Sequence, residues 1–386
     1  MISEWREYKI SDIADVVGGG TPKTAIDEYW NGDIPWLTPR DLTGYDKVYI
    51  SHGDRFITED GLKNSSTKLM PKGSVLLTSR APIGYVAIAE NEICTNQGFK
   101  SLVPKQNKCI SEFLYYWIKN SVDYLQQLGT GTTFAEISGS VVKGIDISLP
   151  PLEEQKAIAE VLSSLDDKID LLHRQNKTLE ELAQTLFRQW FIEEAKDEWE
   201  EKPLSKIANF LNGLACQKFP PTNDIDKLPV LKIKDLKGGI SDSSDWATTD
   251  IKPEYIIESG DIIFAWSASL MVKIWDGEKC ILNQHLFKVT SDDYPKWFYY
   301  QWCKYHLDRF IAIAQAHATT MGHIKRTDLD NAMCFVPNDD EMKVMDEQIV
   351  PLMEKMENNS KQIKTLENTR DTLLPKLMSG EIRIQI

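Results

Sequence analysis

Nothing in this 386-residue sequence is apolar over a length that could span a bilayer. Its first ten residues, MISEWREYKI, carry charges where a signal peptide needs an apolar core. Those two absences point to a cytoplasmic protein with no membrane partner. Paired cysteines are missing as well. Cys94, Cys109, Cys216, Cys280, Cys303 and Cys334 form no CxxC and cluster with no histidine. Structural zinc needs closely spaced soft ligands. No metal is expected, only buried thiols kept reduced.

Cofactor and catalytic motifs are also missing. GGGTPKT (Gly18–Thr24) lacks the GxxxxGK[ST] spacing that brings a lysine to the terminal phosphates. GTGTT (Gly129–Thr133) follows a helical pattern rather than a strand, which is the wrong context for a dinucleotide loop. FPPT (Phe219–Thr222) lacks the amide or acid that amino-methyltransferases place before Pro-Pro-aromatic to hold an extruded base. No acidic cluster with a nearby lysine suggests a nuclease, and the histidines are scattered, with His173 reading as a surface residue. No catalytic constellation and no cofactor are expected. What remains is binding.

Positive charge is scarce too. The net charge is −14, which argues against a simple nucleic-acid binder. Its distribution softens that objection. Residues 1–150 sum to −3 and residues 201–337 to −1, whereas the short stretch 152–200 carries −7 and 338–386 carries −3. Each of the two large blocks is near neutral and could present a basic face. The chain is 42% hydrophobic, enough for packed cores rather than a disordered chain.

What is present is a repeat. KTLE occurs at Lys177–Glu180 and again at Lys364–Glu367, an offset of 187. At an offset of 194, Trp5, Ser11, Ile13, Gly19, Pro35, Leu37, Asp41 and Gly44 meet Trp199, Ser205, Ile207, Gly213, Pro229, Leu231, Asp235 and Gly238. At 187, Gly73 meets Gly260, Asn96-Gln97 meets Asn283-Gln284, Ile137 meets Ile324 and Pro150 meets Pro337. At 185, Phe113, Tyr115, Trp117 and Lys119 meet Phe298, Tyr300, Trp302 and Lys304. The order never changes, so short loop insertions explain the drift. Each copy is one globular block followed by one polar, periodic segment.

The periodic segments read as helices. After SLPPLEEQ, a seam runs through Ile158, Leu162, Leu165, Ile169, Leu172, Asn176, Leu179, Ala183, Leu186 and Trp190. The second seam runs through Met345, Ile349, Leu352, Met356, Asn359, Ile363, Leu366, Arg370, Leu373 and Leu377. Alternating steps of four and three keep one stripe facing a partner helix. Pro150-Pro151 sets the first start, and Pro351 kinks the second helix or marks its start. About 40 residues make a rod of roughly 60 Å. Each seam holds one Asn, a known device for fixing register. Antiparallel pairing with Asn176 opposite Asn359 matches seam to seam, with Leu165 facing Arg370 as the weak point.

The blocks read as mixed α/β. SVLLTS and YVAIAE predict strands in the first; GDIIFAWS and MVKIWD predict their counterparts in the second. ISEFLYYWIKNSVDYLQQL and YPKWFYYQWCKYHLDRFIAIA each predict an amphipathic helix. Candidate binding residues lie in the loops. In the first block they are Thr21, Lys23, Arg40, Arg80, Thr132 and Thr133. In the second they are Lys218, Lys232, Lys234, Ser267, Ser269, His317, Thr319, Thr320, His323 and Lys325. Hydroxyls and cations suit phosphates, and Arg, Lys and His can read guanine edges in the major groove.

With these residues in view, the whole chain resembles the specificity subunit of a type I restriction–modification system. The most specific motif is ISLPPLEEQKAIAEVLSSLDDKID running into LAQTLFRQWF (Ile147–Phe191). GGGTPKT with IPWLTPRDL, TSRAPIG (Thr78–Gly84) and NQGF (Asn96–Phe99) are also typical. CFVPNDDEMKV departs from the Pro-Pro and EEQ signature in the second copy. The resemblance implies an α+β chain with an internal pseudo-twofold repeat. Two mixed α/β target-recognition domains, 1–150 and 197–337, would be joined by two long antiparallel helices, 151–196 and 338–386. Each domain would read one half of an asymmetric, interrupted site in double-stranded DNA, and the helices would set the unread spacer. Two modification (methyltransferase) subunits and restriction (translocase–nuclease) subunits would be the partners. They would carry the methyl donor and ATP, and this chain would be non-catalytic. A coiled-coil protein-interaction scaffold and a self-contained DNA-modifying enzyme are the competing readings.

Overall fold

The computed structural model describes residues 5–80, 82–131, 135–241, 243–316 and 322–384. The chain forms two compact units. Unit 1 holds Met1–Leu171 with Ile363–Ile386, and unit 2 holds Leu172–Gln362.

Unit 1 is built on a five-stranded sheet in the order Ala14–Gly18, Lys100–Pro104, Val75–Ser79, Ile83–Ala89, Tyr49–Ile50. A three-stranded sheet, Arg55–Ile57, Trp30–Leu37, Cys94–Thr95, accompanies it. Strand Arg6–Lys9 pairs with Asp146–Leu149 and closes the block. Val75, Leu77 and Ile88 pack with Phe113, Leu114, Tyr116 and Ile118 in one core. SVLLTS is buried along its whole strand, which is why it reads as a continuous apolar run rather than an alternating one.

Unit 2 repeats the construction. Its sheets run Asn209–Asn212, Leu286–Thr290, Ile262–Ala265, Met271–Ile274 and Trp246–Thr248, Lys227–Leu231, Cys280–Leu282, Ile256–Ile257. The strand registers repeat with the sequence offsets. Arg6 faces Leu149 and Glu200 faces Val336. Val16 faces Leu102 and Phe210 faces Val289. The parallel pairs Trp36–Cys94 and Val230–Ile281 also correspond. Gly73 and Gly260 both hold positive φ, +85° and +97°, the backbone that favours glycine at a tight turn before a buried strand.

Each predicted amphipathic helix is in fact two. Ser111–Asn120 and Val122–Gln127 are separated by Ser121, and Lys296–Tyr305 and Leu307–Ala316 by His306. The break lets Leu125 and Phe310 reach their cores, where both are buried. Periodicity cannot show it, because apolar spacing continues across a one-residue change of direction. His306 is buried, donates from Nε2 to the Met333 carbonyl at 3.0 Å and stacks on Trp302. Burial pushes its pKa down to about 4, against the opposing effect of that hydrogen bond.

The long helices are Leu152–Arg188, which ends in a π-turn at Gln189–Glu193, and Asp339–Met378. Pro351 does not start the second one. The helix begins at Asp339 and runs on through Pro351, whose ring is exposed while Ile349 beside it is fully buried. Packing at Ile349 offsets the hydrogen bond that a prolyl nitrogen cannot donate. Along the seams Ile158, Leu162, Ile169, Leu172, Ile349, Asn359 and Ile363 are buried. Leu165, Asn176, Leu179, Leu186, Leu352, Met356, Leu366 and Leu373 are half-buried.

In unit 1, Asp166 meets Arg370 at 2.8 Å and Glu154 meets Arg383 at 2.6 Å, so the two helices run antiparallel. The suspected weak point opposite Leu165 is satisfied sideways: Arg370 bonds Asp166, and Asp166 accepts the Tyr116 hydroxyl at 2.7 Å. In unit 2, Asn359 Nδ2 donates to Asn176 Oδ1 at 2.9 Å. Glu180 there accepts the Tyr300 hydroxyl at 2.9 Å and pairs with Lys304, tying the first long helix to Lys296–Tyr305.

The EEQ signature has a physical content. Gln155 donates to the carbonyls of Lys108 and Pro150, both at 2.9 Å, and accepts the Ile110 N–H. Glu154 is buried against Arg383. In the divergent copy Glu341 takes the place of Glu154 and holds Lys196 and Trp199 Nε1. The acid–cation tie survives in a segment whose motif does not.

Candidate nucleic-acid interface

Local turns bring four segments of unit 1 together. A β-carbon on Gly19 would lie 1.9 Å from the Asn96 carbonyl oxygen, so only glycine allows the GGG turn to approach there. Asn96 Oδ1 accepts the Gly98 N–H at 2.8 Å, an Asx turn that fixes NQGF. The Gly98 carbonyl accepts the Ser79 N–H at 2.8 Å at the hairpin end, and the Ser79 carbonyl accepts the Ile137 N–H at 2.9 Å. Arg80 and Thr130 both bridge to Glu136. Thr21 Oγ1 donates to Gln97 Oε1 at 2.5 Å, which adds the first loop to the cluster.

Unit 2 repeats the glycine approach, the Asx turn and the backbone bonds between hairpin end and return segment. A β-carbon on Gly213 would lie 2.2 Å from the Asn283 carbonyl oxygen. Asn283 Oδ1 accepts the His285 N–H, Trp266 N–H points to the His285 carbonyl, and Ile324 N–H donates to the Trp266 carbonyl. Ser267 bridges to His323, as Arg80 does to Glu136.

The side chains on this shared frame differ. In unit 1 the crossing is ionic. Glu136 receives Lys100 at 3.1 Å and faces Arg80 at 3.8 Å. In unit 2 it is aromatic. Trp266 stacks on Phe287 with centroids 5.6 Å apart, lies near His285 and His323, and donates from Nε1 to Asn212 Oδ1. His285 Nδ1 is 3.1 Å from Ser267 Oγ. Cation, imidazole and ring faces can contact phosphates, base edges or an unstacked base.

Two stretches of the chain, residues 2–181 and 196–369, match the family model of the type I restriction modification DNA specificity domain. The chain belongs to that family. Each stretch takes in one block and most of its helix, as the internal repeat does. The MjaIX specificity subunit of Methanocaldococcus jannaschii, a type I restriction enzyme component, is 39% identical, covering 99% of this chain and 94% of the relative. The MjaVIII specificity subunit of the same organism is 23% identical, with the same coverage. Among solved structures, a type I system S subunit from M. genitalium shares the fold. Its TM-score is 0.57 at 16% identity, over 100% of this chain and 97% of that one.

The specificity-family frame places the sequence candidates unevenly. Lys23 and Arg40 are exposed in unit 1, and the turn carrying Arg40 abuts Gly98 through Pro39. Lys218, Ser269, His323 and Lys325 are exposed in unit 2. Lys232 is engaged by Asp245, and Lys234 donates to the Ser243 carbonyl at 2.9 Å. Ser267 is buried with its hydroxyl toward His285. Thr132, Thr133, His317, Thr319 and Thr320 lie outside the described residues. Lys100, Glu136, Trp266 and His285 belong to the crossing and escaped the sequence reading. The 187 offset held the signal, since it carries His323 onto Glu136 and Ser267 onto Arg80.

Among the described residues no group of His, Cys, Asp and Glu is placed to hold a metal. The six cysteines are free and buried, and burial pushes the Cys94 and Cys216 thiols up to about 11. No helix among them is long and apolar enough to cross a membrane.

Proposed function

We propose that this protein is the non-catalytic sequence-recognition subunit of a type I restriction–modification complex. Each unit reads one half of a bipartite, asymmetric site in double-stranded DNA, and the two long helices set the spacer. The observation that carries this reading is the pair of crossings. One backbone frame, repeated in register, presents Arg80, Lys100 and Glu136 in one unit and Trp266, His285 and His323 in the other. A frame held constant under changed contact chemistry suits two readers of different sequences.

Two modification subunits would flank the chain and bring the methyl donor, and restriction subunits would bring ATP-driven translocation and cleavage. A net charge of −14 fits a subunit that borrows positive surface from such partners. Alone, it would bind DNA weakly, with affinity falling steeply as salt rises. The test is binding to duplex DNA by the isolated chain and by its complex with the host's modification subunit. Specific binding only in the complex supports the reading, and nanomolar specific binding by the chain alone contradicts it.

A further inference from the structure

The crossing in unit 1 does more than collect charge. The hairpin strands Val75–Ser79 and Ile83–Ala89 deliver Arg80 at their end, half-buried, with its backbone bridged to Glu136. Glu136 divides its carboxylate. Oε1 receives Lys100 at 3.1 Å, and Oε2 faces Arg80 Nη1 at 3.8 Å. Lys100 is the more buried cation, its side chain 17% exposed against 36% for Arg80. Lys100 therefore neutralises Glu136 from inside. Arg80 stands outside. Its planar fork of donors is paired by charge with Glu136 and makes no hydrogen bond among the described residues.

We propose that Arg80 reads a guanine in the half-site of unit 1 and that Glu136 is its positioning residue. The proposal rests on the DNA-recognition role argued above. Guanine presents O6 and N7 as paired acceptors in the major groove, and a guanidinium matches them with two parallel hydrogen bonds. A lysine cannot, because its ammonium is a point charge. Unit 2 provides the internal comparison. Its frame is the same, but Ser267 stands where Arg80 does and His323 where Glu136 does. Guanine reading by this device therefore belongs to one half-site only.

The test is selection from a randomised duplex library by the full chain in complex with its host's modification subunit. The expected wild-type product is a two-part motif with a G·C pair at one fixed position of one half. Arg80→Ala should lower the preference for that pair roughly ten- to a hundredfold and leave the other half unchanged. Glu136→Gln should weaken the preference at that position alone, which a general loss of stability would not do. Arg80→Lys, which keeps charge and stem, should also lose the preference, and it covers the case in which Arg80→Ala does not fold. The second half-site, selected in the same experiment, shows that the chain is folded. A two-part motif that Arg80→Ala and Arg80→Lys leave intact overturns the assignment while sparing the recognition role. A wild-type complex that selects no two-part motif overturns both.

Discussion

Asn359 Nδ2 donates to Asn176 Oδ1 at 2.9 Å between the two long helices of unit 2. Asn176 in turn donates to the Met356 carbonyl and to Ser360 Oγ. Asn359 is buried, and its own Oδ1 has no partner among the described residues. The pair is therefore expected to fix register more than it stabilises. Asn176→Leu should cost about 1–3 kcal/mol, because it leaves the buried Asn359 amide only its long 3.4 Å bond to Gln175 Oε1. The double variant Asn176→Leu with Asn359→Leu should regain most of that loss or exceed the wild type. Urea unfolding of the wild type, Asn176→Leu, Asn359→Leu and the double variant measures the cycle. A double variant as weak as the single one would show that the amides stabilise rather than specify.

The Asp166–Arg370 pair of unit 1 should behave differently. Both side chains are largely covered, and Tyr116 closes the network at 2.7 Å. Asp166→Ala leaves Arg370 without that partner and should cost about 2–3 kcal/mol, less than a fully buried pair because Arg370 keeps Asp371. The triple variant Asp166→Leu, Arg370→Leu, Tyr116→Phe should recover stability. Thermal melts of the three chains decide it, and an unaltered melting point in Asp166→Ala would remove the pair from the account.

Much of the fold was legible because it is written twice. Offsets of 194 and 187 located the strands whose registers repeat, and the heptad spacing put Asn176 opposite Asn359. As a helix start Pro351 misled, since the helix begins upstream at Asp339. The breaks at Ser121 and His306 were invisible, because a helix can turn without losing its apolar period. At the interface, candidates were chosen for charge and hydroxyl content. That choice took in Arg80 and His323, which lie in the two crossings, but also Lys232, whose ammonium Asp245 occupies. It passed over Trp266 and Glu136, whose place in the crossings comes from the side chains they contact, and a single sequence does not show who holds whom.

Glycine at the two turns is testable unit by unit. Gly19→Ala would press a β-carbon onto the Asn96 and Thr95 carbonyls, and Gly213→Ala onto those of Asn283 and Leu282. Each should destabilise its own crossing by about 1–3 kcal/mol. In the complex, each should abolish selection of one half-site and spare the other. Loss of both half-sites by either variant would contradict independent readers.

The buried His306 sets a pH dependence for unit 2. Its folded pKa is pushed down to about 4 from an ordinary value near 6.5. The unfolded chain then binds a proton that the folded one refuses. Stability from this group is complete above about pH 6.5 and is lost as pH falls toward 4, at up to roughly 1.4 kcal/mol per pH unit. His306→Gln should flatten that slope while lowering stability at pH 7. Unfolding free energies measured across this range check it, and an unchanged slope in the variant would rule out the assignment to His306.

The central claim is that two different readers on one chain recognise a split site at a spacing set by the helices. Removing one heptad from each helix shortens the rods by about 10 Å, or about three base pairs. The most direct measurement is genome-wide mapping of methylated bases in cells carrying the modification subunit with this chain or with the shortened chain. Two short, unrelated half-sites at fixed spacing are expected, with only the spacer reduced in the shortened chain. A single contiguous or palindromic motif, or methylation unchanged when this chain is deleted, would contradict it.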